Sequence, residues 1–287
     1  MMKKTRAGLT VFFFAVLLPV AGRAAEDVET PEKRGWMDQA EFSLVVTSGN
    51  AVSRTFGLAN ILTGTWDRDS IELKVKAVRA QTAVLTRTAT GTADDFRISE
   101  NREIRLAAEN YAAAGSYTRA LSGGFLFKAG AGWEKNRFAG IVSRTVLAAG
   151  LGYAVIATET ARLKTDVSLT YTFRSYLESG PERFGGFRIA GTFDKAVSPS
   201  ASYSGAILFD ENLKDFSDWR ADMSHALSVS VSRNLALKVG LDLIYIHNPA
   251  GGEIPLFGPD EAFSGIFVVS PLKNLDTVFT TSLVVNF

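Results

Sequence analysis

The sequence predicts an all-β protein: a single antiparallel up-and-down transmembrane β-barrel of about 12 strands that follows a cleaved signal peptide. Three observations carry this prediction. The N-terminus is basic and then apolar, apolar and polar residues alternate along most later segments, and the connections are short and long by turns. Alternation with a period of two places apolar and polar side chains on opposite faces of a strand, as in outer-membrane barrels.

The N-terminus has the features of an export signal. Basic residues precede an apolar run over 7–20, and Ala24 offers a small residue where a signal peptidase cleaves. The run is shorter than the roughly 20 residues that a transmembrane helix needs. We therefore predict a secretory signal peptide over 1–24, a periplasmic N-terminal segment over 25–37 and the barrel over 38–287.

Composition narrows the classes of partner. The chain has no cysteine, so no disulfide framework holds the fold. Its net charge of +1, with 21% charged residues, gives no basic footprint for nucleic acid and argues against disorder. We therefore expect no nucleic-acid partner.

One segment, 160–176, shows the alternation most clearly. The apolar Leu163 and Leu169 stand at odd-numbered positions, and the charged Lys164 and Asp166 stand at even-numbered positions. On a helix Lys164 and Asp166 would point to nearly opposite sides, whereas on a strand they are neighbours on one face. The same criterion predicts strands over 38–47, 52–66, 69–80, 99–114, 119–134, 142–157, 160–176, 183–196, 200–213, 217–233, 235–248 and 274–287.

The connections test this strand count. The even-numbered ones are predicted to be tight, at 67–70, 115–118, 157–159, 197–199 and 232–234. The odd-numbered ones are mostly longer, at 80–98, 135–141, 177–182, 211–216 and 248–274, and only Ser48–Ala51 is short. Short turns at one rim and long loops at the other are typical of an outer-membrane barrel. The adjacent acids Asp94–Asp95 and Asp210–Glu211 are expected in the outward loops.

Several aromatic residues lie at the ends of predicted strands, on the same face as the apolar residues of those strands. This position predicts two interfacial girdles, with Trp66, Trp133, Tyr203, Trp219, Tyr245 and Phe287 as members. The last strand, which ends in Phe287, resembles the C-terminal assembly signal of bacterial outer-membrane barrels. That resemblance implies the barrel assembly machinery as a partner.

The polar residues on the opposite face of each predicted strand are the candidates for lining the lumen. Both signs of charge alternate there, so the charges either pair across the interior and close it or line a narrow wet passage. Mixed sign argues against steep selection for one ion charge. The predicted lumen-lining residues are Glu72, Lys74, Lys76, Arg105, Glu109, Lys128, Lys164, Asp166, Arg174, Arg188, Asp194, Arg220, Asp222, Lys238 and Asp242.

Three short motifs resemble a known family. They are Thr47-Ser48-Gly49-Asn50, Arg137-Phe138-Ala139-Gly140-Ile141 followed by Arg144, and Gly150-Leu151-Gly152-Tyr153. In this order and spacing they resemble the YdiY-like salt-induced outer-membrane protein family (domain of unknown function 481). Asn136 departs from the acidic residue expected before Arg137. The resemblance implies an outer-membrane barrel whose molecular activity is not established, and it carries over no site residues.

Chemistry-bearing residues are sparse. Neither His225 nor His247 has a serine and a polar orienting group in a recognisable local pattern, so we expect no enzyme. No histidine pair, cysteine or dense carboxylate loop has metal-ligand spacing, so we expect no metal and no cofactor.

Three functions from different classes remain. The first is a narrow or partly occluded diffusion channel for small polar solutes. The second is a non-conducting structural or envelope-stress barrel whose outward loops contact partners, and the third is an outer-membrane hydrolase. All three place the protein in the cell outer membrane, in contact with lipid and lipopolysaccharide. The sequence leaves the solute and the oligomeric state open.

Overall fold

Alternating sequence produces strand after strand in the computed structural model, which describes residues 34–47, 52–91, 96–137, 139–177, 180–257 and 263–286. No helix in these ranges is long and apolar enough to cross a membrane. The strands are β1 Gly35–Thr47, β2 Val52–Thr65, β3 Asp69–Gly91, β4 Phe96–Ala120, β5 Phe125–Asn136, β6 Ile141–Ala157, β7 Ala161–Tyr176, β8 Glu182–Ser198, β9 Ala201–Asn212, β10 Trp219–Ser230, β11 Leu235–Ile246, β12 Gly251–Phe257, β13 Phe263–Pro271 and β14 Leu275–Asn286.

Twelve of these strands close into one barrel, which confirms the predicted fold class. Sequence neighbours pair antiparallel from β1 to β11, and β14 then joins β11 to β1. The other two strands, β12 and β13, pair only with each other and lie between β11 and β14 in the chain. Closure matters because every backbone N–H and C=O in lipid needs a partner within the protein.

The joint between the first and last barrel strands is short. Strands β1 and β14 pair from Gln39 opposite Asn286 to Phe42 opposite Leu283. By contrast, β1 pairs with β2 along its whole length, from Gly35 to Thr47.

The barrel is apolar outside and polar inside. On β7, Leu169 is 73% exposed, whereas Ser168 and Thr172 on the other parity are 4% and 2% exposed. A soluble core would reverse this arrangement, since apolar side chains avoid water. The pattern is that of strands with one face toward lipid and the other toward an enclosed lumen.

Connections define two rims. The turn rim carries 66–68, 121–124, 158–160, 199–200 and 231–234, and the loop rim lies at the other ends of the barrel strands, where β5, β7, β9 and β11 end. The predicted tight turn at 115–118 is wrong, because β4 continues through it to Ala120. The chain turns instead at 121–124, where Gly123 and Gly124 adopt φ of 67° and 79°. Glycine has no Cβ penalty there.

The predicted loop at 80–98 is mostly strand. Strand β2 pairs with β3 only as far as Ala83, while β3 and β4 continue to pair from Val84 opposite Glu103 to Gly91 opposite Phe96. This β3–β4 hairpin therefore projects roughly 25 Å beyond β2 at the loop rim, at about 3.3 Å per residue. The predicted loop at 248–274 likewise contains a hairpin, β12–β13.

A small apolar cluster covers the mouth at the loop rim. Ala139, Ile141 and Ile246 are buried there. The base of the β12–β13 hairpin is held by a hydrogen bond from Leu272 N–H to Ala250 O (2.9 Å). Gly140, with φ of 71°, packs so closely that an added Cβ would meet the Ala250 Cβ and Leu272. We call these residues, Ala139–Ile141, Ile246, Ala250 and Leu272, the loop-rim cap.

Some predictions concern residues outside the described ranges. These are the signal peptide over 1–24, the Ser48–Ala51 connection, Asp94–Asp95, Phe287 and residues 25–33 of the predicted periplasmic segment, whose last three residues belong to β1.

Candidate functional site

An ion-pair network crosses the lumen near the loop rim. The Glu134 carboxylate on β5 accepts hydrogen bonds from Arg144 on β6 (2.9 Å) and from Arg220 on β10. Five strand-to-strand steps separate β5 from β10 around the twelve-stranded barrel, so the Glu134–Arg220 pair spans the interior. The two charges that meet come from almost opposite walls.

Asp210 on β9 is the second anion of this network. It accepts two hydrogen bonds from Arg188, at 2.7 and 2.8 Å, and one from Arg144 at 2.6 Å. Arg220 also donates from Nε to Asp222 at 2.7 Å. We call these six residues, Glu134, Arg144, Arg188, Asp210, Arg220 and Asp222, the arginine network.

Most of the arginine network is dry. The side chains of Arg144, Asp210 and Arg220 are 12%, 11% and 11% exposed. Burying a charge is costly unless it is paired and hydrogen-bonded, and each of these groups meets opposite charges. Arginine suits this place because its planar fork binds two carboxylate oxygens, or two carboxylates, at once.

A further buried arginine lies outside the arginine network, closer to the loop rim. Arg174 on β7 binds Asp218 (2.6 Å) and Glu182 (3.0 Å), and its guanidinium lies 4.8 Å from the Phe184 ring centroid. Asp218 belongs to the connection after β9 and also accepts a hydrogen bond from Asn212 at 2.8 Å. These contacts fasten a loop-rim connection to the barrel wall.

A small polar pocket separates this group from the arginine network. The buried Nε of Arg174, which lines the pocket, has no hydrogen-bond partner in the described part of the chain, and neither has the Oε1 of Glu211, whose side chain faces outward beside Trp219. The pocket is lined by Arg144, Thr170, Thr172, Arg174, Tyr176, Phe184, Asp210, Glu211, Asn212, Asp218, Trp219, Arg220 and Ile246.

Lysines form the ion pairs lower in the lumen. Lys76 on β3 binds Asp242 on β11 at 2.6 Å, another contact between walls four steps apart. Lys128 binds Asp166 at 2.9 Å. We call the set of four pairs the lysine layer: Lys74–Glu72, Lys76–Asp242, Lys128–Asp166 and Lys238–Glu41.

The lysine layer is wetter than the arginine network. The Lys74, Lys76 and Lys128 side chains are 50%, 41% and 39% exposed although they face the lumen, whereas Lys238 and Glu41, at 22% and 12%, are nearly as buried as the arginine network. A compact ammonium on a flexible stem keeps its hydration more readily than a guanidinium held in a fork. The interior is therefore divided into a dry part near the loop rim and a wet part nearer the turn rim.

The remaining predicted lumen residues take different positions. Lys164 faces the lumen and is half-buried, and Asp194 is exposed near the turn rim. Arg105 lies opposite Thr82, just before the hairpin begins to project beyond β2, and binds Glu103 at 2.7 Å. Glu109 departs from the expectation, because the register places it opposite Arg79 on the outward face. A register irregularity between Ala80 and Gln81 shifts the parity of β4 between Arg105 and Glu109.

Four functional side chains escaped the sequence-based selection. Glu134 and Arg144 face inward, and both have the inward parity of the predicted strands. Asp210 was expected in an outward loop but is buried within β9, and Asp218 was assigned no role. The sequence could have identified Asp210, because it is an even number of residues away from the inward side chains of the same strand and therefore shares their face.

Aromatic side chains form groups near both rims on the outer face. The ring centroids of Trp66 and Trp36 lie 5.6 Å apart near the turn rim. Trp219 stacks on Tyr245 at 4.9 Å near the loop rim. Trp133, also near the loop rim, donates to Ser143, and Tyr203 packs on Phe193 near the turn rim.

Both histidines contact these aromatic groups. His225 Nδ1 lies within hydrogen-bonding distance of the Tyr203 hydroxyl, and the His247 ring stacks on Trp219 at 5.0 Å. Among the described residues, no three His, Asp or Glu side chains form a group that could hold a metal ion.

One titrating group stands clear of the membrane-spanning strands. The exposed Asp215 carboxylate accepts hydrogen bonds from the Ser217 hydroxyl (2.7 Å) and the Ser217 backbone N–H (3.0 Å). These bonds hold the pKa of Asp215 below its usual value, because they favour the charged form.

Comparison with known proteins gives one family and several structural likenesses. The family model described as "Protein of unknown function, DUF481" matches residues 40–287. No curated protein matches the chain.

The structural likenesses combine wide coverage with low identity. The chain is similar to the NanC porin, with a TM-score of 0.45, 9% identity and coverage of 87% of this chain and 98% of that chain. It is similar to the KdgM porin (TM-score 0.38, 8% identity, 88% and 99% coverage). It is also similar to an anion-selective porin from Comamonas acidovorans (TM-score 0.36, 10% identity, 88% and 98% coverage).

Proposed function

The chain belongs to the DUF481 family of proteins of unknown function, and from this premise we propose that it is an outer-membrane barrel that acts as a narrow, partly occluded diffusion channel for small polar solutes. The location is supported by the closed sheet and by the apolar exterior, which only lipid or another apolar surface can match. The loop rim then faces the cell exterior, because long connections are external in such barrels.

The division of the lumen carries the channel proposal. The lysine layer is polar and wet, which gives small polar solutes a path through the part nearer the periplasm. The arginine network is dry and crosses the lumen, so it forms the constriction. Opposite charges alternate along the whole path, which favours weak selection between cations and anions.

Single-channel recording in planar bilayers tests the proposal. We expect the purified, folded protein to give small current steps, because the arginine network leaves little open cross-section. The variant Glu134→Ala/Arg220→Ala removes the pair that spans the lumen, and its steps should be several-fold larger. A flat trace from both proteins, with folding verified by heat-dependent gel migration, would contradict a channel.

A matched variant separates the constriction from a general loss of charge. Glu72→Ala/Lys74→Ala removes one pair from the wet lysine layer, where both side chains are already half-exposed. Its current steps should stay within about twofold of the wild type. Equal enlargement in the two double variants would mean that the arginine network is not the narrowest point.

Neither histidine has a catalytic role in this proposal. His225 and His247 contact aromatic rings on the outer face, away from the lumen. A hydrolase activity lost on His225→Ala or His247→Ala would overturn this assignment.

One observation favours a second function. The β3–β4 hairpin projects beyond its neighbours, which suits a non-conducting barrel that contacts partners at the cell surface. Removal of residues 84–103 tests it. A surface-contact protein should lose its cellular role while the barrel still folds, whereas a channel should keep its conductance.

A further inference from the structure

The outer face changes abruptly from apolar to basic at one sector of the loop rim. On β3 the outward residues Leu73 and Val75 are about half exposed, and the outward residue further toward the loop rim is Arg79. On β5 the outward Trp133 is followed by Lys135. The apolar band therefore ends at a similar height on β3 and β5, which flank β4, since Arg79 lies opposite Glu109 of β4 and Lys135 lies opposite Tyr111.

Four cationic side chains gather above this boundary. Arg79 lies opposite Phe56, and Arg54 lies two residues further toward the loop rim on the same face of β2. Lys135 lies opposite Tyr111, and Arg137, the first residue after β5, lies beside the outward Glu109. We call Arg54, Arg79, Lys135 and Arg137 the basic patch.

The basic patch has little internal compensation. Within the described ranges, one carboxylate forms a salt bridge with the patch: Glu109, which lies 3.9 Å from the Arg137 guanidinium. Its other oxygen accepts a hydrogen bond from Tyr111 at 3.4 Å. Among the described residues Arg54, Arg79 and Lys135 form no salt bridge, so the patch keeps an excess of positive charge.

The size and position of the patch indicate its ligand. Strands β2 to β5 span three inter-strand spacings, or roughly 14 Å, which is wide enough for more than one anionic group. Guanidinium groups bind phosphate oxygens two at a time, and lysine adds a point charge. The patch lies at the height where lipid headgroups replace acyl chains, directly above the girdle residue Trp133.

The rest of the loop rim differs in character. On β9, β10 and β11 the outward residues at this height are Glu211, Trp219 and Tyr245. That sector offers aromatic rings and a carboxylate, which do not attract an anion. Arg183 on β8, opposite the outward Phe173, is a single exposed cation among the described strand residues on that side, so the cluster of four cations is a feature of β2 to β5.

We propose that the basic patch binds the phosphate groups of an anionic glycolipid in the outer leaflet, with Arg54, Arg79 and Arg137 as its principal contacts. The inference rests on the proposed outer-membrane orientation and is independent of conduction. The lipid's acyl chains then lie against the apolar band of Phe56, Leu73 and Val75. Charge and apolar surface match the two parts of one amphipathic molecule.

Native mass spectrometry of the folded full-length protein in detergent tests the proposal. Bisphosphorylated lipid A is titrated into the wild type and into the variant Arg54→Gln/Arg79→Gln/Arg137→Gln. Binding to the variant should be at least tenfold weaker, and added salt should weaken binding to the wild type. A variant that binds lipid A as tightly as the wild type overturns the proposal.

Three controls sharpen the result. The variant Arg68→Gln/Lys195→Gln/Arg233→Gln removes the same charge near the turn rim and should bind like the wild type. Lipid A without its phosphates should bind at least tenfold more weakly to the wild type, and equal binding contradicts phosphate recognition. Inorganic phosphate alone should not displace the lipid, since it lacks the acyl chains; displacement would point to free phosphate as the ligand.

The charge-conserving variant Arg54→Lys/Arg79→Lys/Arg137→Lys covers the case in which the glutamine variant fails to fold. It should keep more than a third of the wild-type affinity, because lysine still attracts phosphate. A complete loss in this folded variant would contradict recognition by positive charge. Conductance is recorded separately, so failure of lipid binding and failure of the channel proposal are distinguishable.

Discussion

Glu134 on β5 and Arg220 on β10 form an ion pair across the lumen although five strand-to-strand steps separate their strands. Their meeting shows that the interior is bridged near the loop rim. Each of the two side chains is also held by a neighbour, Glu134 by Arg144 and Arg220 by Asp222. The pair is therefore the centre of a network rather than an isolated contact.

Replacement of Glu134 by Gln should destabilise the folded barrel by up to about 3–5 kcal/mol, because the buried Arg144 and Arg220 then keep only Asp210 and Asp222 as counter-charges. Urea unfolding in lipid vesicles, followed by tryptophan fluorescence, measures this loss. Lys74→Gln in the wet lysine layer is the control and should change stability by about 1 kcal/mol or less. Similar losses for the two variants would show that the arginine network is not effectively buried.

Replacement of Leu169 by Arg should impair membrane insertion. Leu169 lies at the middle of β7 and faces outward, where an arginine costs about 2–4 kcal/mol. Ser224→Arg, at the middle of β10, places the same charge in the lumen beside Asp242 and should be tolerated. The folded fraction after refolding into vesicles compares the two, and equal fractions would contradict the assigned faces.

Replacement of Gly140 by Ala should loosen the loop-rim cap. An alanine Cβ would meet Ala250, and its φ of 71° costs a further 1–2 kcal/mol or so. We expect larger current steps as the base of the β12–β13 hairpin moves away. Gly265→Ala is matched, since Gly265 has a φ of 77° and nothing within 4 Å of an added Cβ. If both variants enlarge the steps equally, the cap contact is irrelevant to conduction.

Replacement of Ser217 by Ala should raise the pKa of Asp215 toward its usual value, because the hydroxyl hydrogen bond is lost while the backbone bond remains. NMR titration of the Asp215 carboxyl carbon measures the change. A lowered pKa in the folded state stabilises the protein above the unfolded-state pKa, and this contribution disappears as the pH falls through the folded-state value. An unchanged pKa in the variant would contradict the role of the hydroxyl.

Period-two alternation was sufficient to predict the barrel, because a closed sheet in lipid leaves each strand one apolar and one polar face. The positions at which strands end were harder to predict from the sequence. Gly115 and Ser116 suggested a turn, yet Gly115 lies inside β4 against Leu73, and the chain turns at Gly123–Gly124. Turn propensity is a local property, whereas the length of β4 depends on its pairing with β3.

The site was predicted only as a set of inward charges. Parity identifies Arg220 as inward, but it does not say that Glu134 meets it, since a contact across the lumen depends on the barrel's closure and stagger. The same holds for Glu109, which changes face after the irregularity between Ala80 and Gln81. Such shifts in register have no signature in residue type.

The brief pairing of β1 with β14, from Gln39 to Phe42, bears on how the cylinder is completed. Fewer backbone hydrogen bonds hold these two strands than hold β1 to β2, so this joint is the one that separates with least work. A nascent sheet that curls within the bilayer would unite its first and last strands at the end. Pairing of the first strand with the last strand is therefore the step that separates the lumen from lipid.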